Sequence, residues 1–459
     1  MSLPRSLPPI RTLATGAVWL AASATLASTA TAQNRPAIRP LGPTLATTSD
    51  SLGMVNNVRA LSDGRLLIND ATSRRVLLVD TTFKVLAVVA DSTASTANAY
   101  GPRSGALIAY RGDSTLFVDA ASLSMLVIDP AGRIARVMSV PRSQDAMVLA
   151  AGGLGSSAYY SDGHLVYRGS PALQMRMAER SGAGGGVPQM PTQPDSMPIQ
   201  RVNLQTRAVD TVGFVKVPKT NTSMNRSDDG TISVSIEVNP LPVVDEWAVT
   251  ANGDVALIRG RDYHVDWISP GRQQRSSTKI PFDWRRLGDE DKVRLIDSVK
   301  AIRDRQAAAN PGQGQQMAQA FGAAMGGGAV AAGGAGGPVV MRFEVNGGPG
   351  GATSGQVRAP RISAPQINYV SPSTLPDYQP PFFAGSARPD ADGNIWVRTI
   401  PTKPEPAGVV YDVINDKGEA VDRVLVPEGR VIVGFAPGGV VYLAARDGMS
   451  TKLERARVR

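Results

Sequence analysis

Arg65-Leu66-Leu67-Ile68-Asn69-Asp70-Ala71-Thr72-Ser73-Arg74-Arg75-Val76-Leu77-Leu78-Val79-Asp80 reads as a strand, a polar loop and a second strand. The same unit returns downstream. Asp70 and Asp80 stand ten residues apart, as do Asp119 and Asp129, and the two pairs are offset by 49 residues. Ala71 and Ala120 follow the first Asp, and Ser73 and Ser122 stand three residues after it. Apolar runs close each unit, Val76-Leu77-Leu78-Val79 and Met125-Leu126-Val127-Ile128.

Each unit is preceded by a turn whose Gly or Asp permits the positive φ of a tight hairpin. Ser62-Asp63-Gly64 precedes the first and Gly112-Asp113-Ser114 the second. The signal recurs at Ser161-Asp162-Gly163, Asn252-Gly253-Asp254, Asp392-Gly393-Asn394 and Pro437-Gly438-Gly439. An apolar strand follows each time, from His164-Leu165-Val166-Tyr167 to Val440-Val441-Tyr442-Leu443. Six turn-plus-strand units at a period near 48 residues predict an all-β fold, a six-bladed β-propeller of four-stranded antiparallel blades.

Leu67-Ile68-Asn69-Asp70-Ala71 with Arg75-Val76-Leu77-Leu78-Val79-Asp80 resembles the strand pair of NHL-type repeats, and the chain more broadly resembles TolB-like six-bladed propellers. The resemblance covers most of the chain after its first 33 residues, apart from two insertions. It speaks to architecture. The later units keep the turn and strand but lose the Asp.

Residues 1–33 read as a secretory signal. Arg5 and Arg11 supply the basic start, Leu13 to Leu26 an apolar stretch, and Thr29-Ala30-Thr31-Ala32 the small residues before a cleavage at Gln33. The competing reading is an uncleaved anchor. No other segment is long and apolar enough to span a membrane, and a periplasmic or extracellular location is expected. The 459-residue chain has no cysteine, which rules out disulfides and a cysteine-linked lipid anchor. Its net charge of +9 is dispersed and aromatics make up 5%, so the clustered basic-aromatic surface of a nucleic-acid binder is missing. A monomer is expected.

The propeller is expected to occupy residues 34–459, with flexible insertions at about 181–198 and 285–375. The first is Gly/Pro/Met/Gln-rich. In the second, Asp289 to Ala309 reads as a helix, with Val293, Ile296, Val299 and Ile302 at helical spacing. Asn310 to Gly337 is dominated by Gly, Ala and Gln, and Met341 to Val345 alternates briefly. Thr231 to Val238 alternates with period two and reads as a strand in an arm beside the ring. After Val431 only three strands fit, so Leu45 to Thr48 is expected to supply the fourth and close the ring, removing a free edge.

The second strands end in charges: Asp70, Asp119, Arg168, Arg259, Arg398 and Arg446. The expected topology puts them on one rim, where arginine forks suit an anionic small molecule or protein partner. The competing reading is that the acids accept turn hydrogen bonds while the arginines pair with them. Catalytic signals are sparse. His164 and His264 are the only histidines, there is no Gly-x-Ser-x-Gly elbow and no His/Cys metal spacing. The Gly runs at Gly184–Gly186 and Gly326–Gly328 lack a following Lys-Ser/Thr and read as linkers.

The resemblance implies a further option. Some six-bladed relatives are calcium-dependent lactonases or phosphotriesterases whose metal is held by carboxylate and amide side chains from several blades. Asn56, Asn57, Asp70 and Asp119 are the residues here that suit such a role, without a residue-by-residue match. Two functions follow. The leading expectation is an exported, non-catalytic binding or scaffolding propeller; the alternative is a calcium-dependent lactonase/phosphotriesterase-like hydrolase.

Overall fold

Leu66, Leu67 and Ile68 are consecutive in one strand, yet each is only 1% exposed. Side chains alternate between the two faces of a strand, so both faces of this sheet must be covered. Leu66 and Ile68 pack with Tyr442 and Leu453 near the C-terminus. Leu67 packs the other way, with Phe117 and Leu126. An unbroken apolar run is the signature of a sheet sandwiched between two others.

The computed structural model describes residues 35–93, 100–103, 105–151, 159–169, 176–177, 188–189, 194–227, 231–309, 363–403, 405–448 and 450–458. The segment 1–33, the Gly runs, the 310–337 stretch and Met341 to Val345 lie outside these residues. Among the described residues, six sheets repeat one plan of four antiparallel strands. Sheet 1 runs Val55–Ala60, Leu66–Asp70, Arg75–Val79 and Val85–Ala90. Sheet 2 runs Ala106–Ala109, Thr115–Asp119, Ser124–Ile128 and Ile134–Ser139. Sheet 3 is Tyr159–Ser161, His164–Arg168, Ser196–Asn203 and Val209–Lys216. Sheet 4 is Glu246–Val249, Val255–Arg259, His264–Ile268 and Gln274–Ser276.

Sheet 5 comprises Ala387–Pro389, Ile395–Arg398, Gly408–Ile414 and Ala420–Pro427. Its outer edge carries a fifth, parallel strand, Ile38–Pro40. Sheet 6 has Arg430–Ala436, Val440–Asp447 and Ser450–Arg457, and its fourth strand is Thr44–Thr47 from the other end of the chain.

Neighbouring sheets share their cores. Sheets 1 and 2 enclose Leu67 and Phe117; sheets 2 and 3 enclose Leu116, Leu165 and Val202. Val166, Ile199 and Leu257 lie between sheets 3 and 4, and Trp267, Ile395 and Val397 between sheets 4 and 5. Trp396, Val413 and Leu443 fill the seam of sheets 5 and 6. The sixth core, around Val58 and Tyr442, joins sheet 6 to sheet 1. Each buried aliphatic or aromatic side chain contributes about 1.5–3 kcal/mol of transfer free energy.

The second Asp of the repeat has a local task. Asp80 Oδ1 accepts the amides of Thr82 and Lys84 at 2.8 and 3.0 Å, and Asp129 Oδ1 accepts that of Arg133 at 2.9 Å. The units that lose the Asp keep a side-chain oxygen there. Asn203 accepts from Gln205, Ser269 from Gln273, and Asn415 from Lys417 and Glu419. These turns all lead into a fourth strand, and any short oxygen-bearing side chain closes them.

Outside the six sheets, Asn221–Arg226, Ile232–Val238 and Gln366–Tyr369 form a three-stranded sheet. The helix spans Asp289–Ala309. Its buried stripe differs from the expected one: Val293 and Ile302 are 44% and 46% exposed, while Ile296 and Lys292 are buried. Lys292 Nζ reaches Asp377 Oδ1 at 2.7 Å, and Ile296 joins a small core of Leu241, Leu287, Val370 and Leu375. That core is too small to cover a wider face. Among the described residues no helix is long and apolar enough to cross a membrane.

The seam between sheets 6 and 1 is tight. A Cβ at Gly434 would sit 2.5 Å from Val58 Cγ2 and 2.9 Å from the Val58 carbonyl. Gly434→Ala should therefore lower unfolding stability by about 1–3 kcal/mol. Leu86→Ala, on the exposed fourth strand of sheet 1, should stay within about 0.5 kcal/mol. Urea unfolding of both variants checks this.

Candidate functional site

In every sheet the second strand ends where the first begins, so the six charged strand ends share one kind of corner. Asp70 is fully buried. Its Oδ1 accepts the amides of Gly53 and Ser73 at 3.1 and 3.3 Å, and its Oδ2 accepts Arg75 Nε at 3.0 Å. Asp119 accepts the Ala121 amide at 3.0 Å and the Ser122 hydroxyl at 2.6 Å. A Cβ on Gly53 or Gly101 would run into these carboxylates. Arg259 donates to Asp266 and Asp245 at 2.7 and 2.8 Å and to the Phe214 carbonyl at 2.9 Å. Arg398 and Arg446 are exposed at their strand ends.

Arg168 is different. It is half-buried at the end of its strand, and no hydrogen bond ties its guanidinium to any described residue. Burial lowers its proton affinity, and the opposing charge is Glu246. Glu246 opens the first strand of sheet 4 and is 2% exposed. Its Oε1 accepts the Gly385 amide at 2.7 Å and its Oε2 the Ala387 amide at 3.2 Å. The carboxyl thus clasps the first strand of sheet 5. Burial pushes it up to about 7, against the pull of these two amides and of Arg168 and Arg388. Arg388, on the first strand of sheet 5, is also half-buried and makes no hydrogen bond through its side chain among the described residues.

Three successive sheets therefore bring Arg168, Glu246 and Arg388 to one corner. The strand-end charges of the sequence included Arg168 and missed the other two. The available signal was an acid opening the otherwise apolar run Glu246-Trp247-Ala248-Val249. Neither histidine joins this corner. His164 Nδ1 lies 2.6 Å from the Asp162 carbonyl, and His264 is held between Asp262 and Asp266.

The calcium candidates were tested on their donors. Asn57 Oδ1 receives the Leu107 amide, and its Nδ2 donates to the Leu107 carbonyl at 2.8 Å. Asp70 and Asp119 are filled by N–H and O–H donors as described. Among the described residues no group of three or more His, Cys, Asp or Glu is placed to hold a metal ion. The oxygens of Asn57, Asp70 and Asp119 are thus engaged by the fold, and no step below is routed through Ca²⁺.

The stacked antiparallel sheets and the cores they share define a β-propeller. No family model and no curated protein matches the chain. Among solved structures it is similar to a gluconolactonase from Xanthomonas campestris, at 10% identity over 91% of this chain and 99% of that one, TM-score 0.32. It is also similar to a virginiamycin B lyase from Staphylococcus aureus solved with quinupristin (10% identity, 89% and 99% covered, TM-score 0.30). A third is a calcium-binding regucalcin from Agrobacterium tumefaciens (10% identity, 92% and 98% covered, TM-score 0.34). Two of the three are enzymes by name, which stands against the expectation of a non-catalytic binding or scaffolding protein. None of their residues is carried over, and the chemistry that follows rests on this chain's own side chains.

Two outcomes are expected. Glu246 holds its proton more tightly in the folded chain than the ordinary value of 4.5. Its stabilising contribution is therefore complete below about pH 4.5 and lost as pH rises through about 7. That loss is on the order of 3 kcal/mol. Urea unfolding at intervals across this range should show the decline in the parent chain and a shallower one in Glu246→Gln, where buried Asp412, also raised by burial, remains. Separately, millimolar Ca²⁺ should leave the thermal midpoint unchanged; a saturable rise would place ligands elsewhere.

Proposed function

We propose that residues 34–459 form a closed six-bladed propeller, exported through the segment 1–33, and that it is a hydrolase of lactonase-like type. Three things support the ring reading. Six shared cores run in chain order, the last of them returns to the first sheet, and Thr44–Thr47 pairs with the last strand. A sheet completed from both chain ends leaves no free edge at the join.

The catalytic reading is carried by one observation: a carboxyl held near pH 7 by burial, at a corner with two arginines. A general base works best when its proton affinity matches the working pH. As carboxylate, Glu246 takes a proton from water while the water oxygen attacks the lactone carbonyl. The tetrahedral adduct collapses, the ring C–O bond breaks, and the same carboxyl returns the proton to the leaving alkoxide. The product is the open hydroxy acid. The backbone amides of Gly385 and Ala387 hold the carboxyl in place throughout, so little reorganisation is needed.

Proton release from γ-butyrolactone, δ-valerolactone and 4-nitrophenyl acetate tests this. At least one should be turned over, with kcat/KM rising with pH through a limb near 7. Glu246→Gln should lower kcat by about 10²–10⁴-fold, with circular dichroism confirming that the variant folds. No turnover across the panel, or an unchanged Glu246→Gln variant, would discard the reading.

A further inference from the structure

Arg168 on sheet 3 and Arg388 on sheet 5 both oppose the charge of the same carboxyl, which lies on sheet 4 between those two sheets. Both are half-buried. Neither guanidinium hydrogen-bonds to a described residue, whereas Arg259, at the matching strand end of sheet 4, donates three times. A guanidinium has five N–H donors, and among the described residues no nitrogen of Arg168 or Arg388 is both buried and without a partner, so these donors stay open to solvent and to a ligand. Glu246 answers the charge of Arg168, but no hydrogen bond joins the two side chains. Buried acids elsewhere are met directly by side chains: Asp412 by Tyr263 and Arg423, and Asp145 by Arg142 and Tyr167.

We propose that Arg168 and Arg388 form a two-armed clamp for a carboxylate on the substrate, across the corner where Glu246 acts. This rests on the hydrolase reading and names its substrate class: carboxylate-bearing lactones or esters. With Glu246 ionised, two guanidiniums and one carboxylate sum to one positive charge, so the corner favours an anion. Planar forks also match a carboxylate's two oxygens. Held by the clamp, the substrate's reactive carbonyl is kept beside the base, the positioning effect that makes a bimolecular attack effectively unimolecular.

Calorimetric titration of the full chain with acetate, succinate and inorganic phosphate tests the clamp without requiring turnover. Acetate or succinate should bind, and more tightly than phosphate. Arg168→Ala and Arg388→Ala should each weaken carboxylate binding by about tenfold or more, with Arg168→Lys recovering part of it. Arg136→Ala, on the exposed fourth strand of sheet 2, should leave it unchanged. Binding should tighten below pH 7, as Glu246 loses its charge, and Glu246→Gln should bind tightly at every pH. Carboxylate binding that is absent from the parent chain, or equal in the arginine variants, overturns the clamp whatever becomes of the hydrolase. Binding lost in the arginine variants alongside undiminished turnover in Glu246→Gln leaves the clamp standing and removes Glu246 as base.

Discussion

Each sheet of this protein has two apolar faces and no way of hiding either by itself. Leu66 and Ile68 need one neighbour and Leu67 another. Leu116 and Phe117 repeat the arrangement one sheet on. Covering both faces of a sheet forces the next sheet into place, and the demand passes along the chain until the last sheet meets the first. A carboxylate, two arginines or a glycine contact at a seam are details of how that demand is met.

The corners show the same constraint worked out with different residues. Where strands of adjacent sheets come close, backbone amides lose water and need acceptors. Asp70 meets that need from the end of a second strand, and Asp245 meets it from the residue before a first strand, accepting the amides of Lys216 and Gly260. Glu246 meets it across a seam. The difference is what surrounds each acceptor. Arg75 offsets the charge of Asp70 directly, at 3.0 Å. Glu246 has no such partner in hydrogen-bond contact, so its proton affinity rises to about 7. A structural clasp and a titratable group are then the same side chain.

The repeated Asp-Ala-x-Ser unit was legible because its chemistry is local. Asp119 reaches an amide two residues on and a hydroxyl three residues on, within one turn. The six turns and apolar runs, the Asp289–Ala309 helix and the Ile232–Val238 strand outside the six sheets were legible for the same reason, since period and turn chemistry are properties of short segments. The buried stripe of the helix was not. Lys292 is buried because Asp377 lies opposite, and nothing within the helix says so. The later units appeared to have lost an Asp, but Asn203, Ser269 and Asn415 do its work.

What the amino-acid order determined alone is the strand-turn-strand unit, its repetition and the need for apolar cover on both faces, because these depend on neighbours within a few residues. Tertiary structure decided which charges are consumed and which are left over. Arg168 and Arg259 occupy matching strand ends and look alike in sequence. Two aspartates and a carbonyl surround the second; a clasped carboxyl on the next sheet opposes the charge of the first. Only packing brings residues 168, 246 and 388 to one corner, and the desolvation there sets what their charges can do.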